Sequence, residues 1–258
     1  MTDKDGYRQR LDIFRKSMGQ FLASDDWRLE FIFESLQDEC LFGDIEQTLY
    51  WYQKSVASNK MAFESIALSE CRKWSICPDT GSMVHDSGEF FRVDGLRIHT
   101  SPSREVVGGW DQPILTQVGH DGGVLGLIRK RFDGVPHYLV EAKAEPGNYN
   151  IVQITTTIQA TFSNLKRAHK GNATPYSEYF TSPLENGATV IFSKWMSEDG
   201  GRLFNKRNLT MLIEIQKDRE LPLVNDSFRW VSLHQIKQLL LYEDAIIAPH
   251  IRGVLAVV

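Results

Sequence analysis

The chain has 258 residues, 42% hydrophobic and 24% charged, and 29 Lys+Arg against 33 Asp+Glu leave a formal net charge of -4, an ordinary globular balance. Without a basic excess, a nucleic-acid partner held through phosphates is not expected, whereas a small anionic ligand is compatible with any global charge. No apolar run approaches the roughly 18 to 20 residues of a membrane span, and the N-terminal MTDKDGYRQRL has no apolar signal region, so no membrane association and a cytoplasmic location are expected.

In chain order, residues 1–60 read as an N-terminal helical appendage and 61–258 as the main domain. Over 7–22 the residues Leu11, Phe14, Met18, Phe21 and Leu22 recur at helical spacing, and further helices are predicted over about 27–37 and 44–56, each opened by an Asp or Ser. Cys40, Cys71 and Cys77 fall in no metal-ligand pattern and suit free thiols in a reducing compartment. Residues 61–66 read extended, and the turn-rich stretch that follows contains a hairpin strand at 89–93.

The segment VVGGWDQP at 106–113 reads as a loop in which Trp110 could stack a ring and Gln112 bond it, although a tryptophan is more often core. Across Asp133-Gly134, a pair that favours a type I′ turn, VLGLIRKRF meets VPHYLVEAKA as the best hairpin of the chain, with Pro136 at the start or on an edge of its strand. Residues 151–161 are dense in β-branched side chains and pass at about 160 into a helix that Gly171 can terminate. A strand at 210–215, a helix at 233–241 opened by Ser232 and an apolar ending at 253–258 complete the pattern.

On the second hairpin strand a period of two puts Leu139, Glu141, Lys143 and Glu145 on one face. Solvated, that row is an ordinary charged strand; lining a cleft, a lysine flanked by carboxylates is a proton-transfer group or an electrophile beside a carbonyl. Gln153, Thr155, Thr157 and Gln159 form an uncharged polar face, suited to sugar or nucleobase groups or else to burial under another element. Lys166, Arg167, His169 and Lys170 crowd a helix C-terminus and could bind a diphosphate, and Tyr176 and Tyr179 are candidate general acids. There is no G-x-G-x-x-G after a strand, no P-loop, no H-E-x-x-H and no G-x-S-x-G, so no redox cofactor, P-loop nucleotide or metal is expected.

From residue 105 to 180, the runs EVVGGWDQPIL, GLIRKRFDGVPHYLVEAKAEPGN, VQITTTIQATFSNLKRAHKG and PYSEYF resemble the NDP-hexose 2,3-dehydratases of deoxysugar pathways. The likeness extends to TGSMVHDSGEFFRVDGLRI, LFNKRNLTMLIEI and FRWVSLHQIKQLL with RGVLAV, covering most of the chain after about residue 74. It implies an α+β chain with a Nudix-like mixed β-sheet and flanking helices, adapted for elimination. The paired-glutamate Nudix signature is replaced by AEPGNYNIVQ, so metal-dependent pyrophosphate hydrolysis is not expected.

Members of that family act on a dTDP-linked 4-keto-6-deoxyglucose, removing the C2 hydroxyl to leave a 3,4-diketo-2,6-dideoxy sugar without a cofactor. The resemblance therefore implies a carbon-oxygen lyase that needs a base for the C3 proton, donors for the C4 enolate and an acid for the leaving hydroxyl. Glu145 or Lys143 is the expected base, with Lys143 alternatively holding the enolate oxygen, and Tyr176 or Tyr179 the proton donor. Gln153, Thr155, Thr157 and Gln159 would hold the sugar, Trp110 and Gln112 the base or sugar, and Arg167 with His169 the diphosphate. Familiar members are about twice as long and look like a duplicated module, so a homodimer reproducing the pair is expected. Where Ser-Pro-Thr is expected before the IQAT run the chain has Thr155-Thr156-Thr157, which leaves its backbone less constrained. The alternatives are a non-catalytic nucleotide-sugar-binding or regulatory subunit and a Nudix-type nucleotide-sugar hydrolase.

Overall fold

A computed structural model of the chain describes residues 4–19, 21, 23, 27–99, 102–103, 106–119, 122–165, 173–243 and 245–256. Three helices lead: α1 (Lys4–Met18), α2 (Trp27–Leu36) and α3 (Ile45–Ser58). The predicted opening of α3 is a capping box, in which Gln47 N donates to Asp44 Oδ1 at 2.8 Å and Asp44 N to the Gln47 side chain at 3.1 Å. Phe31 of α2 and Tyr52 of α3 are buried in the main core, and the Tyr52 hydroxyl donates to Val152 O at 3.0 Å. Residues 61–66, predicted extended, form no strand. Their apolar side chains stay in solvent, Phe63 65% exposed, because no neighbouring strand among the described residues takes up their backbone.

A first sheet contains β1 (Trp74–Ile76), β2 (Met83–His85), β3 (Phe91–Ile98) and β4 (Trp110–Gln117) in antiparallel order. The segment around Trp110, read as a loop, is therefore a strand, with Trp110 opposite Ile98. The two glycines before it serve the entry to that strand rather than a ligand: Gly109 has φ 95°, and a Cβ there would run into the Ile98 carbonyl.

The second sheet is built on β5 (Gly123–Phe132) and β6 (Val135–Ala144), the predicted hairpin. Asp133 and Gly134 both have positive φ, 49° and 86°, as a type I′ turn requires, and Pro136 lies at the start of β6. Then come β7 (Val152–Thr155), β8 (Ile158–Thr161), α4 (Phe162–Leu165), α5 (Ser177–Thr181) and β9 (Ala188–Ser197). The two-residue β10 (Leu203–Phe204) joins the first sheet parallel to β4, after which β11 (Arg207–Ile215) and β12 (Phe228–Val231) return to the second. Helices α6 (Leu233–Leu239) and α7 (Pro249–Leu255) close the chain, α6 capped by Ser232 as expected.

The second sheet runs β12-β6-β5-β11-β9, with β11 parallel to β5. Its strands β5 and β6 pair only from Ile128/Leu139 to Phe132/Val135 and then part. Into the gap come β7, paired with β6, and β8, paired with β5. Thr157 stands in the fork, where its hydroxyl receives a hydrogen bond from Ile128 N at 2.9 Å and donates to Leu139 O. The run at 151–161 is thus two short strands broken at Thr156-Thr157, and α4 begins at Phe162; Gly171 lies outside the described residues.

Apolar side chains cover both faces of this sheet. On one, Leu127, Tyr138, Val140 and Leu212 pack with Ile236 of α6 and Ile251 of α7; on the other, Ile128, Leu139 and Ile213 pack with Tyr176, Phe180 and Trp230. Gly126 leaves room for the Phe180 ring, which a Cβ there would strike. The architecture is α+β with two mixed sheets, and no helix among the described residues is long and apolar enough to cross a membrane.

Candidate functional site

A cavity of about 360 Å³ opens between the sheets, walled by β3, the splayed ends of β5, β6 and β8, the 198–208 hairpin and the start of α7. Lys143 and Glu145 line it. The Lys143 ammonium lies 3.1 Å from Glu145 Oε1 and donates to Gln159 O at 3.1 Å. This placement follows from the fork, because β6 leaves β5 to pair with β7 while β8 pairs with β5, which brings Lys143 within reach of the Gln159 carbonyl. The turn after β6 is fixed by Asn148, whose side-chain amide donates to Ile151 O at 3.1 Å, while Glu145 N donates to Ile151 O at 2.9 Å.

Glu141 sits one pleat further along the same face and is half-buried. Burial pushes its carboxyl up to about 7, with Lys143 opposing and Glu145 adding to the rise. Such a group exchanges its proton near neutrality, as an ordinary glutamate does not.

Across the cavity Lys206 donates to Asn208 Oδ1 at 2.7 Å, and the Asn208 amide donates to Glu198 Oε1. Burial lowers the Lys206 pKa, against the attraction of Glu198. His250 completes the lining; its Nδ1 is buried and finds no hydrogen-bond partner among the described residues. A wider cavity of about 990 Å³ shares Glu198, Leu203 and Lys206 with the first and continues past Leu96, Ile114 and Arg207.

Of the predicted site residues, Lys143, Glu145 and Gln159 meet in this lining. Gln153, Thr155 and Thr157 are buried and bonded internally: Gln153 donates to Ala245 O, Thr155 to Gln159 Oε1 at 3.4 Å, and Thr157 holds the fork. Trp110 and Gln112 lie outside the lining and pair with each other, Trp110 Nε1 donating to Gln112 Oε1 at 2.7 Å and Gln112 to Gly201 O at 3.1 Å. The Tyr176 hydroxyl donates to Pro222 O and accepts from Val224 N, both at 3.0 Å, so it ties down the 222–224 segment. Tyr179 packs half-buried at the edge of the same apolar cluster. Neither tyrosine lines the cavity, and burial raises the pKa of both. Arg167 and His169 lie outside the described residues.

Glu198, Lys206, Asn208 and His250 were not singled out from the sequence. They come from a hairpin and a helix start whose convergence on Lys143 only the fold reveals. Among the described residues no three His, Cys, Asp or Glu side chains are grouped to hold a metal ion, and all three cysteines are free.

Residues 45–258 match the sequence model of the NDP-hexose 2,3-dehydratase family. A dTDP-4-dehydro-6-deoxy-alpha-D-glucopyranose 2,3-dehydratase of Saccharopolyspora spinosa is 36% identical over 206 residues, covering 80% of this chain and 40% of that protein. One of the same name from Amycolatopsis orientalis is 37% identical over 214 residues, covering 82% of this chain and 44% of its own length. The chain thus spans about two fifths of the length of the curated relatives it matches. Among solved structures, a Nudix hydrolase from M. smegmatis is 17% identical and covers 55% of this chain and 91% of that one, with a TM-score of 0.32, a superposition too loose to decide anything about chemistry.

Proposed function

The chain belongs to the NDP-hexose 2,3-dehydratase family, and from that premise we propose that it removes the C2 hydroxyl of a dTDP-linked 4-keto-6-deoxyhexose as a carbon-oxygen lyase. The observation that carries the proposal is Lys143: an ammonium on the wall of a cavity, oriented by the Glu145 carboxylate and the Gln159 carbonyl. A cation held there suits the elimination, because loss of the C3 proton puts negative charge on the C4 oxygen. Pre-placed positive charge at a developing enolate lowers the barrier without reorganisation in the step itself. The C2–O bond then breaks, and the resulting C2–C3 enol tautomerises to the 3-ketone, so the net change is loss of water and no redox partner is required.

In this account the sugar lies in the smaller cavity, with Gln159 among its contacts, and the nucleotide extends into the larger one beyond Lys206. Three free thiols fit a reducing, cytoplasmic setting. A second reading, a nucleotide-sugar-binding module without turnover, draws support from the chain's spanning only part of its relatives' length. Steady-state kinetics with dTDP-4-keto-6-deoxyglucose, EDTA present, separate the two. Lys143→Met keeps the bulk and removes the charge; its kcat should fall about a hundredfold or more, with sugar-nucleotide affinity within a few-fold. A Lys143→Met chain as active as the wild type would remove the enolate clamp from the account.

A further inference from the structure

The substrate of the dehydratase reading carries a diphosphate between sugar and nucleoside, and resting on that reading we infer that Lys206 and Arg207 hold it at the neck between the two cavities. The Lys206 ammonium takes the phosphate next to the sugar and the Arg207 guanidinium the one next to the nucleoside. Arg167 and His169, expected from the family resemblance to hold this group, lie outside the described residues.

Charge divides the two cavities unequally. Among the described residues, the smaller is lined by Lys143 and Lys206 against Glu145 and Glu198, which cancel; the larger is lined by Lys206 and Arg207 against Glu198 alone, which leaves an excess of positive charge. Such an excess between walls of low dielectric concentrates anions, and a diphosphate diester carries a negative charge on each phosphate. Asn208 keeps the opposing carboxylate in check: its amide donates to Glu198 Oε1, and its carbonyl accepts from Lys206 at 2.7 Å. The ammonium has three donors; Asn208 Oδ1 and, at 3.5 Å, Arg207 O take two and leave one for a ligand.

The fold puts Lys206 at the neck. Strand β10 belongs to the first sheet and β11 to the second, and only Asn205 and Lys206 connect them. Asn205 has φ 49°, the left-handed conformation that lets the chain cross so abruptly. The crossing is tied at both sides, Leu115 N of β4 donating to Arg202 O and Glu198 N to Lys206 O, each at 2.9 Å. The Lys206 Nζ lies 6.0 Å from the centroid of Phe91, on the wall of the smaller cavity, while Arg207 O belongs to the wall of the larger. Arg207 lies over the Trp195 ring at 4.6 Å, a contact that orients the cation and uses none of its N–H donors. Burial lowers the Lys206 pKa, and a phosphate beside it favours the charged form again.

The test titrates dTDP into the full chain by calorimetry with EDTA present. Lys206→Met keeps the length of the side chain and removes its charge; the dTDP Kd should rise about tenfold or more, as for the loss of a hydrogen bond to a charged group. Lys206→Arg restores the charge and should recover most of that loss, which a packing role against Phe91 would not require. Arg207→Gln should weaken dTDP by a similar factor, and added salt should weaken the wild type more steeply than either neutral variant. Arg207 is exposed, so if Lys206→Met fails to fold, the Arg207→Gln titration decides alone. An affinity within about threefold of wild type in either neutral variant, or a wild-type chain that does not bind dTDP, would overturn the clamp. A wild-type chain that binds dTDP through these two residues yet leaves dTDP-4-keto-6-deoxyglucose unchanged would overturn the dehydratase reading and leave the clamp standing.

Discussion

Glu141 shows how one residue sets a pH dependence. Its carboxyl is pushed up to about 7, chiefly by burial, so the native chain holds that proton more tightly than the unfolded chain does. The associated stability is fully present below the ordinary glutamate pKa and is lost as pH rises through about 7. Glu141→Gln fixes the uncharged state. Its Tm should exceed that of wild type at pH 8, by on the order of 1 kcal/mol in stability, and converge with it near pH 4, as thermal melts across pH would show. Equal melting differences at both pH values would mean that the carboxyl is not perturbed. Sequence legibility was uneven at this scale. Lys143 and Glu145 could be read because a strand's period of two puts them on one face, and the fork turns that face to a cavity. Thr157 has the same hydroxyl whether it meets a sugar or a peptide group, so its chemistry could not reveal that it bonds Ile128 and Leu139. His250, among Ile246, Ile247, Ile251 and Arg252, matched no motif in the sequence.

Between elements, the contact of α2 with the sheet is electrostatic as well as apolar. Arg129 of β5, 2% exposed, donates to Glu34 of α2 at 2.6 Å and to Glu214 of β11. Beside it Arg131 donates to both Glu30 oxygens at 2.7 and 2.9 Å, and the Tyr138 hydroxyl to Glu34 at 2.6 Å. Removing one partner leaves the others buried without compensation. Arg129→Met should therefore lose about 3–5 kcal/mol in urea unfolding, and adding Glu34→Leu should recover part of it. Additive losses in the double variant would mean that the pair is not coupled. The β5–β6 hairpin was legible because Asp133-Gly134 has few backbone options. The edge strands β9 and β12 were not, since an edge strand needs less regular alternation and β12 has only four residues. Helix α7 was read only as an apolar ending, its periodicity hidden by its seven-residue length.

At the scale of the molecule, the site depends on two sheets meeting: Phe91 and Leu203 come from one, Lys143 and Gln159 from the other. The relatives matched are more than twice as long as the aligned region, and pairing of two copies would supply two modules, so light scattering should give twice the chain mass. A monomeric mass with full turnover would show that one module suffices. The most direct measurement is proton NMR and mass spectrometry of dTDP-4-keto-6-deoxyglucose incubated with the chain in deuterated water containing EDTA. The dehydratase account predicts loss of one water from the sugar, with deuterium entering C2 as the enol collapses. An unchanged sugar, or release of a nucleoside monophosphate once a divalent metal is restored, would contradict it.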